Sequence, residues 1–209
     1  MTVVDRRPVL RAIERYQVAR MRSTHEALFR TPGYGPLCEF FVGDLYGPWE
    51  GGLSRAGSLA ALADVLRPVL PAWIHHGAVG LIELHALSEQ LDDRLARTLV
   101  AGGCSGAFSP GEFEAAYRRC DDYADRARQI ALSEAGTSFG FELSRHRSVG
   151  RLLAAARRVR GPARAESLLA LLERGHRAFG GVSEIGPFVT AMRAGELAYL
   201  DGIYSKARG

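Results

Sequence analysis

Ser109-Pro110-Gly111-Glu112-Phe113-Glu114-Ala115-Ala116-Tyr117-Arg118-Arg119-Cys120-Asp121-Asp122-Tyr123-Ala124-Asp125-Arg126-Ala127-Arg128-Gln129-Ile130-Ala131-Leu132-Ser133-Glu134 decides the fold class. It opens with a capping box: a serine whose hydroxyl can take an orphan amide, proline at the first helical position, and glutamate at the third reaching back to the serine. Phe113, Tyr117, Cys120, Ala124, Ala127, Ala131 and Glu134 then recur at helical spacing. The spacing predicts one helix through this stretch, with a kink or break near Gly136 and Gly140, where glycine weakens a helix.

The same period extends in both directions. Toward the N-terminus a helix is expected over 8–30, its stripe made by Leu10, Ile13, Gln17, Met21, Thr24 and Leu28, stopped by Thr31-Pro32-Gly33. A short helix from Pro36 carries Leu37, Phe40, Phe41 and Leu45 and ends at Gly47-Pro48, a glycine able to take positive φ followed by a residue that cannot continue. A third covers 55–66, and Pro68 and Pro71 precede a long fourth segment to Ala101 with Ile74, Ala78, Leu81, His85, Ser88 and Leu95 on its stripe. Toward the C-terminus, helices are expected over 148–160, from Gly161-Pro162 to Phe179, and over 187–206. No stretch alternates with period two, and no Asn-Gly or Asp-Gly turn joins two such runs, so strands are not expected. Seven or eight amphipathic helices joined by short links predict an all-α fold: a compact antiparallel bundle, one domain over 1–209.

Charge and cysteine content narrow the class further. The 27 basic and 23 acidic side chains leave a formal charge of +4, and Lys206 is the only lysine, so the positive charge is arginine. Cys38, Cys104 and Cys120 are odd in number and share no C-x-x-C spacing, which suits reduced thiols rather than a disulfide or zinc framework. No apolar run approaches membrane-spanning length and no signal-peptide pattern opens the chain. A cytoplasmic protein with no membrane partner is expected.

Phe40-Phe41-Val42-Gly43-Asp44-Leu45-Tyr46-Gly47-Pro48, preceded by the helix through Arg15-Tyr16-Gln17, resembles the F-F-x-x-x-L-Y-G-P signature of a family of uncharacterised bacterial all-helical proteins. The resemblance runs on through 83–91 and the turn Arg160-Gly161-Pro162-Ala163-Arg164. It implies a full-length helical domain and brings no activity with it.

Several constellations could carry chemistry. Phe40, Phe41, Tyr46 and Trp49 could line a pocket, with Asp44 as a polar contact, or could simply pack. Glu173-Arg174-Gly175-His176 is a Glu-x-x-His, the spacing of di-iron carboxylate bundles; Glu83 and His85 are the candidates to complete a metal site of di-iron or haem-oxygenase-like type. Asp121-Asp122-x-x-Asp125 matches the aspartate-rich pattern that holds magnesium and diphosphate, but Asp92-Asp93 is an incomplete second copy, and the flanking arginines read as a solvated, ion-paired face. Seven arginines and no acid fall within 145–164, where Arg147, Arg151, Arg158 and Arg164 could bind an anion. No aromatic residue interleaves them, so nucleic acid is an unlikely partner. With no nucleophile elbow, P-loop or dinucleotide fingerprint, the expected function is a non-enzymatic helical binding or interaction protein, able to self-associate through leftover apolar stripe. A metal-dependent small-molecule enzyme and an anion or nucleic-acid binder through the arginine-rich segment 145–164 are the alternatives. The sequence names no cofactor, partner or reaction.

Overall fold

The computed structural model describes residues 5–46, 56–57, 60, 71–147, 149 and 163–205, the side chains of 163–168 excepted. Among these residues there is no strand. The helices are α1 (Arg7–Thr24), α2 (Glu26–Arg30), α3 (Gly35–Glu39) running directly into a π-helix (Phe40–Leu45), α4 (Ala72–Ala101), α5 (Pro110–Cys120), α6 (Tyr123–Arg145), α7 (Ala163–Gly180) and α8 (Gly186–Ser205). Of the helices expected over 55–66 and 148–160, almost all lies outside the described residues.

α6 is the central element, packed against α4, α7 and α8. Its pairing with α4 is antiparallel: Trp73 meets His146, Gly77 meets Phe139, Gln129 donates to Ser88, and Arg126 pairs with Asp92. α8 also runs against it, with Tyr123 donating to Asp201 and Arg193 pairing with Glu134.

The capping box is formed, Ser109 Oγ accepting from Glu112 N at 3.3 Å and Glu112 Oε2 accepting from Ser109 N at 2.7 Å. The helix it starts does not run through, however. Asp121 sits in the left-handed region at φ 52°, ψ 40°, a conformation that aspartate tolerates better than most L residues, and the chain breaks there between α5 and α6. No break occurs at Gly136 or Gly140: α6 is continuous to Arg145. These glycines serve packing. A Cβ on Gly136 would stand 2.8 Å from Leu81 Cδ2, and one on Gly140 2.7 Å from the Phe179 ring. Close approach of α4 and α7 offsets a helix-propensity cost of about 1 kcal/mol per glycine. The helix expected over 8–30 is likewise interrupted at His25, whose ring lies where a Cβ on Gly195 of α8 would be, 2.7 Å from His25 Cε1.

Two apolar cores result. One gathers Val9, Ile13, Leu95, Leu99, Phe113, Leu200 and Ile203; the other gathers Leu28, Leu37, Phe40, Leu171, Phe179, Phe188 and Val189. Each fully buried side chain of this size contributes about 1.5–3 kcal/mol. Between Ile13 of α1 and Leu28 of α2, Arg20 turns inward beside the buried Met21; along α8, between Val189 and Leu200, Glu196 does so; along α6, between Ile130 and Phe141, lie Ser133 and Thr137. A polar layer therefore crosses the bundle between the two cores.

Candidate functional site

Two ion clusters lie in the bundle, the first in the polar layer and the second beside the first apolar core, against Tyr117 and Tyr204. In the first, Arg20 Nη1 lies 2.6 Å and His25 Nε2 2.7 Å from the same oxygen, Glu196 Oε1, with the arginine and glutamate side chains 12% and 20% exposed. Burial pushes the Glu196 carboxyl up, but the hydrogen bond from His25 and the charge and hydrogen bond of Arg20 outweigh it and hold it at about 2. An ionised carboxylate only accepts, so His25 Nε2 carries the proton and donates. The Arg20 guanidinium also lies over the Tyr199 ring, 4.4 Å from its centre.

The second cluster is loose. Arg126, 3% exposed, stands 3.7 Å from Asp92 and 3.7 Å from Asp122, beyond hydrogen-bonding distance of either carboxylate. Its other contacts are Leu91 O at 3.3 Å, Gln129 Oε1 at 3.4 Å and the Tyr117 ring 4.5 Å below the guanidinium. The Asp122 side chain is fully enclosed. Tyr204 donates to its Oδ1 at 3.4 Å, and Arg94 at the rim comes within 3.8 Å of Oδ2. Asp122 Oδ2 and Arg126 Nε have no hydrogen-bond partner, a costly condition for buried polar atoms and one that native folds rarely leave without a reason.

Asp92 is the open member. Burial pushes its carboxyl up to about 6; the Arg126 charge opposes that shift, and the charges of Glu14 and Asp122 reinforce it. Yet 34% of the side chain is accessible. Asp92 is thus the one carboxylate of this trio that solvent reaches, since Asp122 is fully enclosed. The Tyr46 hydroxyl lies near the first cluster: burial raises its pKa, as does the charge of Glu196, against Arg20 and a hydrogen bond with Ser133, with a smaller effect of Asp92. The π-helix puts it there. Tyr46 N donates to Phe41 O at 2.9 Å, an i−5 bond that closes the wide turn, and such turns concentrate at functional sites.

The residues singled out by sequence are dispersed. Phe40 and Phe41 fill the second core, their rings 6.3 and 6.1 Å from that of Phe179, with Phe41 stacked on Phe188 at 6.0 Å. Asp44 points outward to Arg174 at 2.7 Å; Trp49 lies outside the described residues. The metal set is not assembled. Glu83 is taken by Arg128, and among the described residues no three His, Cys, Asp or Glu side chains stand together as a metal requires. Glu83 and His85 ride on α4 and Glu173 and His176 on α7, two helices that each pack on α6. Arg147 is exposed; Arg151, Arg158 and the Arg164 side chain lie outside the described residues.

The aspartate-rich reading is also corrected. Asp121, Asp122 and Asp125 share no face, because the left-handed turn separates the first from the other two. Asp122 is enclosed while Asp125 lies at the surface beside Arg94, 3.2 Å away, and Arg126, read as part of a solvated face, is buried. Both Asp-Asp pairs divide the same way: Asp92 and Asp122 point in, while Asp93 pairs outward with Arg6 and Arg97. Those doubled aspartates on facing helices were the one sequence signal for the site.

A family described as a domain of unknown function, DUF8198, matches residues 4–209. The chain belongs to this family. No curated protein and no solved structure matches it. Among the described residues, no helix of this DUF8198 domain is long and apolar enough to cross a membrane.

Proposed function

We propose that this DUF8198 chain is a helical binding protein that takes a small polar ligand in a recess at its second ion cluster, with Asp92 and the Tyr46 hydroxyl as the first groups met. The observation that carries this reading is the unfinished second cluster. A purely structural ion pair is expected to close to hydrogen-bonding distance, as the first cluster does, because buried charges are costly unless paired and hydrogen-bonded. Arg126, Asp92 and Asp122 remain apart, with two orphaned atoms behind them and an accessible carboxylate in front.

On this reading the F-F-x-x-x-L-Y-G-P run is the element that builds the site, two phenylalanines anchoring the π-helix so that Tyr46 reaches inward. The three free cysteines, with the Cys38 thiol pushed up to about 11 by burial and the Glu39 charge, support a cytoplasmic setting.

The test is a thermal-shift screen of small polar compounds against the wild type and Asp92→Asn. A ligand at about a hundred times its Kd stabilises by about 2.7 kcal/mol, so at least one compound should raise the wild-type Tm and leave the variant unmoved. Hits that stabilise both proteins equally would remove the recess as the binding site.

A further inference from the structure

We infer that a second site, separate from the recess at Asp92, lies where α4 begins and α6 ends, and that it takes a small aromatic zwitterion, one ring carrying both an ammonium and a carboxylate.

A cavity of about 440 Å³, open to solvent, is lined by Trp73, Phe141, Glu142, Arg145 and His146. Its size is that of a small-molecule pocket. The antiparallel pairing of α4 and α6 brings these residues together, the first turn of one helix meeting the last turn of the other. Two ring contacts hold Trp73 in place: the His146 ring lies 4.6 Å from it, and the Phe139 ring 6.1 Å away in a T-shaped arrangement. Gly77 admits Phe139, since a Cβ there would stand 2.2 Å from Phe139 Cδ2. Even so, Trp73 stays 37% exposed. A tryptophan already fixed by its neighbours, with over a third of its surface open, offers an aromatic anchor that needs little ordering when a ligand binds.

Charge then narrows the ligand. On the last turn of α6, Glu142 stands three residues from Arg145 and four from His146, the spacing at which helical side chains are neighbours. Among the described residues, however, Glu142 and Arg145 do not pair with each other. The Arg145 guanidinium lies 5.0 Å from the centre of the Phe141 ring, and its Nη2 donates to Ser183 O at 3.4 Å. A carboxylate and a guanidinium therefore border one aromatic cavity without neutralising each other. A ligand of either single sign would meet one attraction and one repulsion there. A zwitterion meets two attractions, its carboxylate toward Arg145 and its ammonium toward Glu142, while its ring packs against Trp73 and Phe141.

The experiment is a ¹H–¹⁵N NMR titration near neutral pH with phenylalanine and three probes that keep its ring but lack one or both charges: 3-phenylpropanoate, 2-phenylethylammonium and 2-phenylethanol. The signals followed are the Trp73 indole N–H, identified by its loss in Trp73→Phe, the Arg145 Nε–Hε and the amides of 141–146. Phenylalanine should move them and bind at least about twofold tighter than each of the other three. Arg145→Gln and Glu142→Gln should each weaken its binding about two- to fivefold, the scale of an exposed ion pair, and Trp73→Ala should abolish it. Thermal unfolding shows whether each variant folds; the two glutamine variants, changed at exposed positions, carry the test if Trp73→Ala does not. Asp92→Asn, roughly 28 Å further along α4 at about 1.5 Å per residue, should leave the affinity unchanged, so the two sites stand or fall separately. Loss of the response in Asp92→Asn would move the binding to the recess and overturn the second site. Analogues that bind as tightly as phenylalanine, or an affinity unchanged in both glutamine variants, would overturn the zwitterion, and silence from all four compounds would overturn the site.

Discussion

Arg20, Glu196 and His25 meet at 2.6 and 2.7 Å, whereas Arg126 stands 3.7 Å from both of its aspartates. The two clusters share the same carboxylate–guanidinium chemistry, and Arg126 is no more exposed than Arg20, so burial of the arginine alone does not explain the difference. Number does. In the first cluster two donors converge on one carboxylate oxygen; in the second, two carboxylates compete for one guanidinium. An excess of donors lets geometry close and holds α1 to α8, while an excess of carboxylates leaves a charge that one enclosed arginine cannot satisfy. The first arrangement reads as structural and the second as a site.

The largest test of that contrast is Glu196→Ala. It strands Arg20 in the interior without its counter-charge, and breaking a buried pair in this way costs about 3–5 kcal/mol. Denaturant unfolding should show that loss, and one under about 1 kcal/mol would break the comparison. Arg126→Leu should cost less, below about 3 kcal/mol near neutral pH, because Asp92 can take up a proton in place of its partner; the loss should shrink further as the medium is acidified.

The pH profile sharpens the point. Asp92 holds its proton up to about 6 in the fold against an ordinary aspartate value of 3.8. Between those values the folded chain binds a proton that the unfolded chain has released, so this contribution to stability is full below about 3.8 and is lost as pH rises through about 6. Asp92→Asn should therefore match the wild type near pH 4 and exceed its Tm at pH 8. Glu196 has the opposite sign: its value of about 2 lies below the ordinary glutamate value of 4.5, so its contribution is present above 4.5 and lost as pH falls through about 2. Wild type and Glu196→Gln should differ most near neutrality and converge in strong acid. Tyr46→Phe is the smallest change, about 1 kcal/mol for one hydrogen bond. Stability should hardly move while ligand-induced stabilisation falls; an unchanged ligand response would detach Tyr46 from the site.

Much of the fold could be read locally. The capping box at Ser109, the proline at the head of α3, and the glycines beyond Ala101 and Phe179 act through nearest neighbours, and they mark helix ends in the structure. The break at Asp121 and the continuity through Gly136 could not be read this way. Glycine in a helix carries the same local cost whether it kinks the chain or admits Leu81, and only the partner helix decides which.

The site was less legible still. Asp92-Asp93 and Asp121-Asp122 stood out as doublets, but charge and spacing alone do not say which member turns inward. Arg20, Arg126 and Glu196 sit among many similar side chains and carry no motif. The sequence by itself determined an all-helical chain, through periodicity and capping that act over a few residues. The tertiary structure alone decided that two apolar cores would enclose a polar layer, and that Asp92, Asp122 and Arg126 would meet beside one of those cores, because pairing between distant charges depends on how helices dock and on the water their docking removes.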